Sequence, residues 1–386
     1  MIHRVYNLSK SNSFFLLGPR GTGKSTLLSS WSKSLKYLAV DLLEPQTEAR
    51  LTSHPEALLQ DWAVEKPEWI LIDEIQKIPK LLDIVHIGIE RHKIKFALTG
   101  SSARKLRRGS ANLLGGRAFE FHLHPFSFLE LGSQFHLQQA LEFGSLPKIF
   151  EFKDEIDKRR FLYSYISTYL KEEVLVEQIV RKIEPFRRFL EVAAQMNGKI
   201  LNYSSIARDA GIEERSVQRY YQILEDTLLG FFIEPFHHSI RKRQSKKSKF
   251  YFFDCGVTRA LQNHLEIPLQ AQTSAYGDLF EQMLIMEMIK LNDAFERHFK
   301  FSYFRTKDDV EIDLIIERPG KPTVLVEIKS KSKVSVEDIR SLKAVSQDIP
   351  KSICYCLSTQ EKGTEIDGVL CLPWGEGLKK IFSIGE

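Results

Sequence analysis

The chain has 386 residues, 43% hydrophobic and 27% charged, with a formal net charge of +5. That length supports two or three domains with cores of their own, and the composition excludes a disordered or fibrous chain. No stretch approaches the roughly 18–20 apolar residues of a membrane span, and Met1-Ile2-His3-Arg4 opens no signal-peptide pattern.

A cytoplasmic protein is therefore expected. Cys255, Cys354, Cys356 and Cys371 are not at metal-ligand spacing, and buried reduced thiols are the expected reading. The charge is uneven. Residues 1–150 carry 19 basic and 14 acidic side chains, residues 151–260 carry 20 and 16, and residues 261–386 carry 16 and 20. A basic balance suits a nucleic-acid partner without requiring one.

Phe14-Phe15-Leu16-Leu17 reads as a buried strand, and Thr26 to Trp31 reads as a helix. Between them Gly18-Pro19-Arg20-Gly21-Thr22-Gly23-Lys24-Ser25 is G-x-x-x-x-G-K-[ST], a phosphate-binding loop. Backbone N–H groups of such a turn, at a helix N-terminus, form an anion site. With Thr26 these residues are expected to surround the phosphates of ATP. Lys24 would reach the β- and γ-phosphates, and Ser25 would hold Mg²⁺.

Lys36 to Asp41 reads as the second strand. Trp69-Ile70-Leu71-Ile72-Asp73-Glu74 is an apolar strand ending in two acids. Asp73 would hold Mg²⁺, and Glu74 would polarise the attacking water. Lys95 to Thr99 is the next strand. Ser101, in preference to Ser102, would sense the γ-phosphate from its end. Arg104 to Arg108 and Arg117 leave two readings open: a solvated basic face, or an arginine finger from Arg117 acting in cis or in trans. Alternating strands and helices predict an α/β fold with a parallel sheet and the nucleotide at the strands' carboxyl ends.

This stretch resembles the AAA+-type ATPases of a large prokaryotic family. In that family an N-terminal ATPase precedes a region catalogued as a domain of unknown function. The resemblance rests on Gly18 to Ser25, Ile72-Asp73-Glu74-Ile75-Gln76, Leu98 to Ser102, Leu114-Gly115-Gly116-Arg117 and Leu123 to Phe128, and it runs nearly end to end. It implies a P-loop ATPase domain over residues 1–130 that takes ATP and Mg²⁺.

A helical connector is expected over 131–184, with a long helix over 155–181 whose aromatic stripe reads as core. Residues 185–260 read as a winged helix. Ser204 to Ala210, the Gly211 turn and Glu213 to Thr227 give a helix-turn-helix, and Gly230 to Phe236 with Lys249 to Phe253 give a hairpin. The expected recognition face carries Arg215, Gln218, Arg219 and Gln222. The expected wing tip, 237–248, carries Arg241, Lys242, Arg243, Lys246 and Lys247 and no acid. Basic groups so placed would neutralise phosphates of DNA. A protein-contact module is the alternative.

Residues 275–386 read as helix, three strands, helix and strand. In a strand, residues i and i+2 share a face. Glu327 and Lys329 therefore converge with Asp313 if their strands are neighbours. The pattern resembles the PD-(D/E)XK nuclease fold. It implies Mg²⁺ held by Asp313 and Glu327, a water positioned by Lys329, and Glu281 completing the metal shell. An ion pair such as Lys329 with Asp313, in a domain that does not cleave, is the alternative. Similar family members carry a glycine before the Glu-x-Asp pair, where this chain has Lys307-Asp308-Asp309-Val310. The whole would be an ATP-driven enzyme acting on DNA, or an ATP-dependent switch or adaptor with a non-cleaving domain, with a homo-oligomer or a protein partner open.

Overall fold

The computed structural model describes residues 2–101, 114–169, 183–236, 247–306, 308 and 310–385. Ser102, Arg104 to Arg108, the later part of the helix expected over 155–181, Arg241, Lys242, Arg243, Lys246, Lys307 and Asp309 lie outside the described residues. The chain divides into two compact units, Met1–Phe126 with Asp226–Leu229, and Ser127–Glu225 with Gly230–Glu386.

The first unit is built on strands β1 (Ser13–Leu17), β2 (Tyr37–Asp41), β3 (Trp69–Asp73), β4 (Lys95–Gly100) and β5 (Ala118–His122). All pair in parallel, in the order β2-β3-β4-β1-β5. Alternation along each strand sends side chains to opposite faces. Phe15, Leu17, Ile70, Ile72, Phe96 and Leu98 enter one core, and Phe14, Leu16, Trp69, Leu71, Ala97 and Phe121 enter the other. Helices α1 (Lys24–Ser32), α2 (Pro45–Ser53), α3 (Ala57–Glu65) and α4 (Leu81–His92) follow the first three strands. Leu28 of α1 joins the second core, and Leu81, Leu82 and Val85 of α4 join the first, so the sheet is covered on both faces. Each such side chain contributes about 1.5–3 kcal/mol on burial. Strand β4 lies between β1 and β3, so its end separates the loop after β1 from the acids that end β3.

The second unit begins with short helices α5 (Phe128–Leu131) and α6 (Leu137–Phe143), then α7 (Glu155–Tyr169) and α8 (Ile183–Gln195). Helix α9 (Tyr203–Ala210) is capped by Asn202, whose side chain accepts from the Ser205 N–H, and stops at Gly211 with φ +64°. Only glycine takes that left-handed turn without strain. Helix α10 (Glu214–Asp226) buries Val217, Tyr220, Tyr221, Ile223 and Leu224. Strands β6 (Gly230–Pro235) and β7 (Lys249–Phe252) then pair antiparallel.

The hairpin does not stand alone. After α11 (Cys255–Leu261) and α12 (Ser274–Ala294) come β8 (Lys300–Arg305), β9 (Glu311–Glu317), β10 (Val324–Lys329), α13 (Arg340–Ser346), β11 (Ile353–Ser358), β12 (Thr364–Ile366), β13 (Val369–Pro373) and α14 (Trp374–Phe382). One eight-stranded sheet runs β12-β13-β11-β10-β9-β8-β6-β7. Strand β6 joins β8 in parallel at Glu234 with Ser302 and Pro235 with Tyr303, and the Phe236 N–H donates to the Tyr303 carbonyl at 2.6 Å. The sequence reading treats residues 185–260 and 275–386 as separate domains, whereas the structure joins their strands in one sheet. The joining registers involve residues about seventy apart, beyond the reach of local pattern.

Helix α12 is buried nearly all round, from Tyr276 to Ala294. Its Gln282 donates to the Phe252 carbonyl at 2.8 Å and to Thr258 Oγ1 at 2.8 Å, and accepts from Asn197 Nδ2 at 3.1 Å. Asn197 also accepts from the Phe252 N–H at 2.9 Å. These satisfied buried amides fasten hairpin, α11 and α12 together.

Candidate functional sites

The loop after β1 is shaped by glycines. A Cβ on Gly18 would lie 2.2 Å from the Leu123 carbonyl oxygen, and Gly23 has φ +90°. The Gly18 N–H donates to the Gly100 carbonyl at 3.2 Å, tying the loop to β4. Thr22 Oγ1 donates to the Pro19 carbonyl at 2.9 Å, and the Lys24 ammonium donates to the Gly18 and Pro19 carbonyls at 2.8 and 3.1 Å. Gly18, Pro19, Arg20, Gly21, Thr22 and Gly23 therefore form a compact turn directly before α1. Lys24, Ser25 and Thr26 form the first turn of α1, where backbone N–H groups lack helical partners.

The two motifs meet. Ser25 Oγ donates to Asp73 Oδ2 at 2.7 Å. Thr99 Oγ1 donates to the other oxygen of Asp73 and accepts from the Glu74 N–H at 3.1 Å. Glu74 sits in the left-handed region, φ 59° and ψ 46°, an arrangement strained for a non-glycine residue. Its carboxylate accepts from Gln76 Nε2 and, at 3.3 Å, from Ser101 Oγ. Gln76 also donates to Ser101 Oγ at 3.0 Å. Ser101 thus touches the carboxylate of Glu74.

Sequence reasoning missed three residues here. Thr99 and Gln76 lay within quoted runs, but only the strand order shows that they face the acids. Arg4 had no local signal. It is 8% exposed, donates to the carbonyls of Thr22 and His124, and lies 4.2 Å over the Phe126 ring.

Arg117 stands elsewhere. It precedes β5, whose Ala118 pairs with Ser13 at the amino end of β1. The five residues of β1, about 17 Å of extended strand, separate that end from the loop at Gly18. Arg117 pairs with Glu90 near the end of α4, and the guanidinium holds the Glu90 carboxyl below its usual range. Arg117 thus lies at the end of the sheet opposite the loop at Gly18.

In the second unit β9 and β10 are antiparallel neighbours, with Val326 opposite Leu314. Asp313 and Glu327 therefore meet. Asp313 Oδ2 accepts from the Ile328 N–H at 2.7 Å, and Lys329 Nζ lies 2.6 Å from Glu327 Oε1. Burial, then the neighbouring Glu327 and Glu281, push the Asp313 carboxyl well above the usual carboxylate range. Burial likewise raises Glu327, against the pull of Lys329. Burial opposes the Lys329 charge, but Glu327 and Asp313 more than offset it and hold the ammonium above its usual range.

Lys249 of β7 enters the same cluster. Its side chain is 5% exposed, and its ammonium lies 2.7 Å from Glu311 and 3.5 Å from Glu281. Tyr251, two residues on, donates to Glu281 Oε1 at 2.5 Å. Glu281 is thus engaged by Tyr251 and Lys249. Among the described residues no group of three or more His, Cys, Asp or Glu side chains is arranged to hold a metal ion. The structure departs here from the expected three-acid shell of Glu281, Asp313 and Glu327. Glu281 is instead paired with Lys249 and hydrogen-bonded by Tyr251. The pair Asp313 and Glu327 still fits a hard cation. Glu327 Oε2 is buried without a hydrogen-bond partner, and Mg²⁺ is commonly held by one or two carboxylates and water.

Arg215, Gln218, Arg219 and Gln222 are exposed on α10, opposite its buried face. Lys247 is exposed beside β7. All four cysteines are free and buried, and no helix among the described residues is long and apolar enough to cross a membrane.

Residues 10–132 match the family described as AAA domain. Residues 134–268 and 276–376 match two domains of unknown function, DUF8612 and DUF4143. The first part of the chain is accordingly similar to AAA domains, a likeness that supports ATP binding. An uncharacterised protein of Mycobacterium tuberculosis is 26% identical over 347 residues, covering 89% of this chain and 75% of its own length. An uncharacterised protein of Haemophilus influenzae is 23% identical over 301 residues, covering 71% and 73%. A solved structure of the replication initiator DnaA, bound to AMPPCP and single-stranded DNA, is 14% identical with a TM-score of 0.29, covering 55% of this chain and 82% of that one.

Proposed function

We propose that the chain hydrolyses ATP with Mg²⁺ and uses the nucleotide state to control a DNA-contacting module and a Mg²⁺-dependent phosphodiesterase site. The observation that carries the ATPase reading is the chain of hydrogen bonds from Ser25 through Asp73 to Thr99 and Glu74. It brings the phosphate loop, a metal-holding pair and a base together.

Loop N–H groups and Lys24 bind and orient the phosphates. Ser25 and Asp73 would hold Mg²⁺, which when bound would supply charge neutralisation for the phosphates. Glu74 accepts a hydrogen bond from the attacking water and aims it in line with the scissile P–O bond. Ser101 and Gln76 orient that carboxylate. Arg117, at the opposite end of β1 from the loop, would serve as a finger only for a neighbouring chain's nucleotide, in a homo-oligomer.

In the second unit Asp313 and Glu327 would hold Mg²⁺, and Lys329 positions the water that attacks the phosphodiester. Arg215, Arg219 and Lys247, with Arg241, Lys242, Arg243 and Lys246 of the hairpin connection, bind the DNA backbone through a winged helix. The ion pairs of Lys249 favour one alternative, an ATP-dependent switch or adaptor in which this site binds without cleaving.

Mg²⁺-dependent cleavage of single- and double-stranded DNA, with and without ATP, separates the two. Cleavage lost in Asp313→Ala and dependent on ATP through Lys24 supports the gated nuclease. ATP hydrolysis by a chain that cleaves no DNA supports the switch.

A further inference from the structure

The carboxylate cluster holds an internal cation that comes from the hairpin and not from the strands carrying the acids. Glu281, Glu311, Asp313 and Glu327 converge from α12, β9 and β10, while Lys249 and Lys329 bring two ammonium groups. The two lysines divide the acids between them. Lys329, its side chain 29% exposed, lies 2.6 Å from Glu327. Lys249, its side chain 5% exposed, lies 2.7 Å from Glu311 and 3.5 Å from Glu281. Arg305 adds a partly exposed guanidinium 3.5 Å from Glu311. Tyr251 fixes Glu281 from the same strand as Lys249. One oxygen remains unsatisfied in this charged neighbourhood: Glu327 Oε2, on a residue 6% exposed, has no hydrogen-bond partner. A buried carboxylate oxygen without a donor calls for a cation or water.

We propose that Lys249 is a built-in competitor for a divalent cation at this cluster: its ammonium claims Glu281 and Glu311 and confines the cation to Asp313 and Glu327. This inference rests on reading Asp313 and Glu327 as a cation site. Lys249 belongs to β7, which pairs directly with β6, and β6 leads into the connection that bears the basic residues. Displacing the hairpin therefore changes how strongly the site holds its metal. Two neighbouring residues of one strand, Lys249 and Tyr251, thereby act on Glu281 together.

The test is calorimetric titration of the full chain, without nucleotide, with Mn²⁺. Binding at this cluster is the part that Asp313→Ala abolishes, which separates it from any ion at Ser25 and Asp73. Removing a unit charge within about 4–6 Å changes the free energy of a neighbouring charge by the equivalent of one to three pKa units. Lys249→Met should therefore tighten Mn²⁺ by about tenfold or more, and Lys249→Arg should stay within about threefold of the parent. Lys249→Gln, which keeps a hydrogen-bond donor, should behave as Lys249→Met and serves if that variant folds poorly. Unchanged or weaker binding in folded Lys249→Met and Lys249→Gln overturns the competitor role while leaving the cation site standing. No Mn²⁺ binding sensitive to Asp313→Ala, in the parent or either variant, overturns both.

Discussion

Ser25 and Asp73 lie 48 positions apart in the chain, and a single hydrogen bond of 2.7 Å joins them. Asp73 also accepts from Thr99, so both of its oxygens are committed to hydroxyl donors. A carboxylate held in this way is preorganised to share a cation with Ser25. Lys24→Ala should remove ATP binding if its ammonium, now on the Gly18 and Pro19 carbonyls, is the loop's phosphate ligand. Glu74→Gln should leave binding within a few-fold and lower turnover by about 10²–10⁴, the usual contribution of a positioned base. Equilibrium binding of a fluorescent ATP analogue beside phosphate release separates the two effects. Loss of binding in Glu74→Gln would count against its role as base.

Arg117 is answered by a mixing experiment. Its pair with Glu90 is exposed, so breaking it to reach a neighbour is cheap. Arg117→Ala should reduce ATP hydrolysis by about 10³ or more. Mixing it with Lys24→Ala should restore part of the rate, since each chain supplies what the other lacks. Two inactive variants that stay inactive when mixed would remove the finger from the mechanism.

Contacts to DNA are read from salt dependence. Each phosphate neutralised contributes about 0.9 to the slope of log affinity against log salt. Arg215→Ala with Arg219→Ala should flatten that slope by roughly two and weaken binding similarly across sequences. A slope unchanged from the parent would assign α10 to a protein contact instead.

Asp254 gives the pH prediction. Its carboxylate accepts the Ser145 N–H at 2.7 Å and caps α11 through the Val257 N–H at 3.1 Å. Burial dominates these bonds and raises the carboxyl above its usual range. The folded state then binds the proton more tightly than the unfolded chain. Its contribution is fully present below the unfolded value, about pH 4, and declines as pH rises through the raised folded value. Asp254→Asn keeps the cap but presents an amide to the Ser145 N–H, costing about 1–3 kcal/mol. Denaturant unfolding should show the parent's advantage over the variant greatest near pH 4 and smaller at neutral pH. An advantage that grows with pH would refute the sign.

The nucleotide site was legible because its parts are contiguous. Eight residues from Gly18 to Ser25 and two acids after an apolar run carry their chemistry in local order. Asp313, Glu327 and Lys329 were legible through strand periodicity once β9 and β10 were taken as neighbours, which their register bears out. Lys249 was not legible. It reads as one more basic residue of a hairpin, and only the pairing of β6 with β8 brings it to the acids. Arg4 is similar, since its partners Thr22 and His124 lie 18 and 120 positions away. The position of Arg117 also follows from register, because nothing local tells which end of a sheet a loop occupies.

The continuous sheet from β12 to β7 bears on how such a chain is inherited. A genetic crossover between residues 260 and 275, where the sequence suggests a seam, would separate Lys249 and Tyr251 from the acids they meet. A recombinant with a foreign hairpin would bring a foreign strand edge to β8 and a different residue beside Glu311. Shuffling of this architecture is therefore expected to move the hairpin and the acidic strands as one block, and a gene carrying half of the sheet would need compensating changes at both ends of the broken pairing.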